Sequence, residues 1–219
     1  MKNLLTTLLV FMFATCTALA QDDQYIRDMT SSVEALNGLD KAKPDAEALQ
    51  EIVNRFEKIL KAEPEKWLPR YYAAYCYIML GFSGNTLLAK DGFLEKGDAL
   101  LKQAEIILGK TTDELLVLKS FAAQIRLAAD PQNRWEVEGE KFATYLSQAK
   151  NLNADNPRIY YLEGISLFYT PEEYGGGKKV AKPVLEKSIA KFSAFKPEST
   201  IHPNWGKVEA EWMLSQCNQ

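Results

Sequence analysis

The chain has 219 residues, 47% of them apolar and 25% charged, with a formal net charge of −3. That is enough apolar material for a sizeable core, and too much for a disordered chain. The acidic balance and the lack of a basic stripe exclude the electrostatics that nucleic-acid binders depend on. His202 is the single histidine, which leaves little material for histidine metal sites or for Ser-His and Cys-His chemistry. No metal and no cofactor is expected on these grounds.

The first segment reads as an export signal. Lys2 supplies the positive start, Leu4 to Phe13 the apolar run, and Ala18-Leu19-Ala20 a small-x-small cleavage site before Gln21. The run is shorter than the roughly 20 residues a bilayer span requires, and no later stretch reaches that length without charges. The expected mature protein is therefore exported, periplasmic or secreted, with no transmembrane segment. Phe13-Ala14-Thr15-Cys16 also resembles a bacterial lipobox, which would anchor the chain through a lipid on Cys16, although Thr15 stands where that family has a smaller residue. The remaining cysteines, Cys76 and Cys217, are too few and too far apart for a disulfide framework, and read as small buried side chains.

From Gln24 onward the pattern is helical. Leu49, Ile52, Val53, Phe56, Ile59 and Leu60 recur at spacings of three and four, placing them on one helix face. Nine helices are predicted, over 24–37, 45–62, 66–81, 90–109, 112–128, 137–152, 157–170, 178–195 and 204–217. Pro44, Pro64, Asp130-Pro131, Asn156-Pro157, Gly175 to Gly177 and Pro197 fall between them. Pro183 lies inside the eighth, which is tolerable if that helix starts near Val180.

The pattern repeats. Phe56, Ile59 and Pro64 are followed 45 residues later by Leu101, Ala104 and Gly109, and again by Leu146, Ala149 and Ala154. The next segments start at Trp67, Thr112 and Pro157, at the same interval. A shared period implies helix pairs that bury their apolar stripes against their neighbours. Ala74, Ala104, Ala149 and Gly164 then mark places of close approach.

These residues resemble the tetratricopeptide repeat family, matched by Phe56 and Pro64, Ala74 and Tyr77, Tyr160, Gly164 and Leu167, and Ala181, Leu185 and Ser188. The resemblance implies an all-α, right-handed superhelical solenoid of antiparallel helix pairs. Its units would cover about 45–64, 67–111, 112–156 and 157–195 of a domain over 21–219, with a capping helix at 204–217. The period exceeds the family's roughly 34 residues, and the surplus falls at Phe82 to Asp91 and Asp130 to Glu138, read as long loops between paired helices.

The resemblance further implies an inner wall on the first helix of each pair, lined by Tyr71, Tyr75 and Met79, then Leu116 and Ser120, then Arg158, Tyr161, Ile165 and Tyr169. Tyrosine and methionine suit a partner surface because they combine apolar area with a polar handle or with pliability. The expected role is a non-enzymatic scaffold that binds a protein or peptide in this groove. Alternatives are a ligand-carrying helper of a periplasmic solute transport system, and an enzyme with its site in the long loops.

Other candidates read as structural. Gly175-Gly176-Gly177-Lys178-Lys179 lacks the spacing of a phosphate-binding loop and reads as a turn. Glu136, Glu138 and Glu140 read as a solvated loop entering a helix. His202, beside Pro203, reads as a cap or surface residue.

Overall fold

The computed structural model describes residues 22–40 and 45–218, and among these every regular element is helical. The expected export signal over Met1 to Ala20, with Cys16, lies outside the described residues. Nine α-helices follow in order: α1 over 22–37, α2 Ala46–Ala62, α3 Leu68–Ser83, α4 Leu87–Leu108, α5 Asp113–Ala129, α6 Pro131–Leu152, α7 Pro157–Tyr169, α8 Lys178–Ala194 and α9 Lys207–Cys217. Among the described residues no helix is long and apolar enough to cross a membrane.

Local chemistry sets most of the helix starts. Asp45 accepts from the Glu47 and Ala48 amides, Thr86 from Ala89, Thr112 from Leu115 and Asn156 from Arg158, so each satisfies amides that the first helical turn leaves unpaired. Pro69, Pro131 and Pro157 occupy first-turn positions, where a missing N–H costs nothing.

Consecutive helices pack against one another: α3 with α4, α5 with α6, α7 with α8. The first helices of these pairs, α3, α5 and α7, also lie side by side. Each is separated from the next by one helix running back, so all three point the same way. Helix α3 is buried from Leu68 to Gly81 on every side, as expected of a helix with no polar stripe. Tyr72 stacks on Phe56 of α2 at 5.2 Å. Phe56 of α2, Leu101 of α4 and Leu146 of α6 are all buried. Gly164 is forced small: a Cβ there would stand 2.5 Å from Leu185 Cδ2.

Three expectations are corrected. Phe82 to Asp91 and Asp130 to Glu138 are not long loops, because the surplus residues lengthen helices instead. Helix α4 starts at Leu87 behind the Thr86 cap, and α6 starts at Pro131 with Asp130 alone joining it to α5. Glu136, Glu138 and Glu140 consequently lie within α6. Helix α8 starts at Lys178, which puts Pro183 past its first turn. Lys179, whose carbonyl loses its partner, is exposed, and water can satisfy it.

The last helix begins at Lys207 rather than 204, and residues 195–206 form an irregular strap. The strap crosses back over the first helices of the pairs and buries Ile201, Pro203 and Trp205. It ends at Gly206, with φ 104°, where a Cβ would meet Phe192 Cζ at 2.9 Å. Only glycine can take that turn without strain.

Candidate functional site

Trp205 is the centre of the inner wall. Its ring lies 4.6 Å from Tyr75, 6.2 Å from Phe121 and 6.4 Å from Tyr161, so one strap residue touches α3, α5 and α7 at once. Its Nε1 donates to Tyr71 Oη at 2.9 Å, and Tyr71 in turn donates to Glu114 Oε2 at 2.9 Å.

Beneath Trp205 lies a buried charge network. Arg158, fully buried, donates from Nη1 to Glu114 Oε1 at 2.9 Å and from Nη2 to the Pro203 carbonyl at 2.5 Å. Its guanidinium also lies 4.8 Å from the Phe195 ring centre and 5.3 Å from that of Trp205. Asn156 Nδ2 donates to Glu114 Oε1 and to Asp113 Oδ2, each at 2.9 Å. Burial pushes the Glu114 carboxyl above its usual range, while Arg158 and the Tyr71 and Asn156 donors draw it back. Several of these bonds join residues 43 to 45 apart, so the network links successive helix pairs and then the strap. At the strap's far side Asn37 Nδ2 donates to Asn204 Oδ1 at 3.1 Å, which ties it to the end of α1.

Away from Trp205 the wall opens. On α3 the stripe Tyr75, Met79, Phe82 goes from 2% to 7% to 51% exposed. On α5 it passes from Phe121 and Ile125, both buried, to exposed Ala128. On α7 it passes from buried Tyr161 through half-buried Ile165 to Tyr169, 68% exposed. The spacings are helical, so each stripe holds one face, and the three helices are parallel. Together they form an apolar strip, termed the trough below, that runs from Trp205 to the C-terminal ends of α3, α5 and α7, its mouth. Phe168 and Tyr169 stand edge to face at 5.0 Å near the mouth, and the Lys178 ammonium lies 5.9 Å from the Phe168 ring centre.

Of the wall residues expected from sequence, Tyr71, Tyr75, Met79, Leu116, Ser120, Arg158 and Tyr161 are buried. Tyr71 and Arg158 belong to the network under the strap. Ser120 donates to the Phe142 carbonyl of α6 at 3.0 Å. Ile165 and Tyr169 offer surface. Trp205, Phe121 and Phe82 were not among the expected wall residues. The alternation of Ile201, Pro203 and Trp205 was the available signal for a buried strap, but its partners lie far away in sequence. His202 sits on the outer side, its ring 6.0 Å from Trp67 and its nitrogens 2.7 Å from Ser199 Oγ and 3.1 Å from Glu198 Oε2.

The tyrosines give the trough a pH limit. Burial first, and then the nearby Glu209 carboxylate, pushes the Tyr75 and Tyr161 phenols above their usual 10.0. Tyr25, on α1, is raised to about 12 by burial together with Glu63 and Asp22. Below pH 10 these phenols are protonated both folded and unfolded, and the stability they confer is complete. Between the unfolded and the raised folded values only the unfolded chain ionises, so stability falls as pH rises. In an alkaline titration, tyrosinate absorbance from these residues should appear together with loss of the helical circular dichroism. Ionisation of all ten tyrosines with the helices intact would contradict this.

No family model matches the chain, and no curated protein matches it. Among solved structures, the HusA haemophore from Porphyromonas gingivalis is similar. The two share 33% sequence identity over 88% of this chain and 92% of that chain, with a TM-score of 0.76.

Proposed function

This chain belongs to the family of the HusA haemophore, and from that premise we propose that it is an exported carrier of haem or a related porphyrin, which it takes into the trough between Trp205 and the Phe82–Tyr169 mouth. The observation that carries this reading is the convergence of three apolar stripes on Trp205, with each stripe growing more exposed toward the same end. A porphyrin is a flat apolar ring with carboxylates on one edge. The trough offers apolar and aromatic area for its faces. Lys178 beside Phe168 offers a cation at the mouth for a carboxylate.

Binding in this reading is by the faces of the ring rather than through an iron–imidazole bond. His202 is occupied by Ser199 and Glu198 away from the trough. Burial raises the Tyr75 and Tyr161 phenols, which disfavours the phenolate that ligation to iron would need. Such a protein carries its cargo without transforming it. The right-handed, tetratricopeptide-like winding of the helix pairs and removal of Met1 to Ala20 on export belong to the same proposal. A peptide or protein partner is the second reading, favoured by exposed Tyr169 beside half-buried Ile165. It would require the strap to lift, because Tyr71, Tyr75, Arg158 and Tyr161 of the expected wall lie against it.

The test is titration of haem and of metal-free protoporphyrin into the mature chain, followed by porphyrin absorbance and tryptophan quenching. Both should bind, with similar affinity. Phe82→Ser with Tyr169→Ser removes exposed apolar area at the mouth and should weaken capture at least about tenfold, as expected from about 1.5–3 kcal/mol per apolar side chain buried by cargo. The melting transition should be unchanged. Unchanged capture in the double variant, or capture abolished by His202→Ala, would sink the proposal.

A further inference from the structure

A second cavity lies between α4, α5 and α6. Asp91, Glu95 and Asp98 follow one another along one face of α4, and Arg134, Glu138, Lys141 and Tyr145 along one face of α6. Arg134 closes one end with two 2.7 Å bonds to Asp91. Between them, floored by Lys119, Ala123 and Arg126 of α5, is a cavity of about 310 Å³.

Its charges do not balance locally. Arg126 is taken by Asp98 at 2.6 Å and Lys119 by Glu105 at 2.7 Å. Lys141 is taken by Glu138 Oε1 at 2.7 Å. The other oxygen of Glu138, in a residue only 7% exposed, has no hydrogen-bond partner. Glu95, at the exposed rim, lines the same cavity with no ion-pair partner among the described residues. The unpartnered Glu138 oxygen receives no donor from the protein, so its donor has to come from whatever fills the cavity. The unfilled positions are acceptors, so an anion does not fit. Among the described residues no group of three metal-type donors converges, and the cavity is far larger than a bare ion. Its volume falls at the small end of ligand pockets, which begin at roughly 300 Å³.

We infer that the α4–α6 cavity is a binding site for a small organic cation, an ammonium or guanidinium ion, held by Glu138 with help from Glu95. The side chain of Lys141 is 48% exposed, so it acts as an internal stand-in that swings out when the ligand enters. The site is separate from the trough and does not depend on the cargo reading.

The probe is agmatine, measured by calorimetry and by the melting temperature of the mature chain, with calcium and acetate as controls. One agmatine should bind per chain and raise the melting temperature. Glu138→Gln should weaken binding at least about tenfold and leave porphyrin capture as it was. Lys141→Met removes the competitor and should tighten binding, an opposite sign that also serves if Glu138→Gln does not fold. No heat with agmatine, equal affinity in Glu138→Gln, weaker binding in Lys141→Met, or calcium bound in preference to agmatine would each overturn the assignment.

Discussion

Trp205→Ala should lower the stability of the fold by about 3–5 kcal/mol, the usual cost of removing a large buried aromatic, and abolish cargo capture. Trp205 is 3% exposed and touches three helices, so the void it leaves is lined by rings that cannot collapse together. The loss should appear in urea unfolding as a lower midpoint with an unchanged slope. Trp205→Phe separates packing from hydrogen bonding. It keeps a ring against Tyr75 but loses the bond to Tyr71 Oη, and should cost about 1 kcal/mol beyond the packing change. A stable Trp205→Ala protein with unimpaired porphyrin binding would mean that the strap is not part of the site.

Arg158→Met should be nearly as damaging, for an electrostatic reason. It leaves Glu114 buried without its cation and frees the Pro203 carbonyl, and breaking a buried pair from one side costs about 3–5 kcal/mol. Adding Glu114→Gln removes the stranded charge, and the double variant should recover part of the loss. A coupling of about 0.5–3 kcal/mol in the double-mutant cycle is expected for groups in direct contact. Strict additivity would show that the two residues do not act as a pair. The loss in Arg158→Met should be accompanied by faster proteolysis of the strap, whose residues 196–200 are exposed.

The helices were legible because their cores announce themselves locally. Leu49 to Ile59 repeats at three and four, and that face is the buried one. Helix starts were less legible. Gly84 and Asn85 made Phe82 to Asp91 look like a loop, although Thr86 was an available cap. Pro131 read as a breaker, although the same residue type suits a first turn. Alternating Glu136, Glu138 and Glu140 hid the fact that Glu138 alone faces inward, which follows only once the phase of α6 is set from Pro131. At the candidate site, the tetratricopeptide resemblance singled out Tyr75, Met79, Tyr161, Ile165 and Tyr169. What sequence could not supply was the cover, because Trp205 and Tyr71 stand 134 positions apart and no local pattern joins them.

That separation has a consequence for how the protein comes into being. A chain made or threaded through a membrane from its first residue onward would present Tyr71, Tyr75 and Phe121 long before the residue that seals them. Until Trp205 arrives, those rings and the Arg158–Glu114 pair stand uncovered, and long-range closure of this kind is slow compared with forming the helices themselves. The nascent molecule therefore passes through a sticky, unsealed stage that ends when the strap closes over the inner wall.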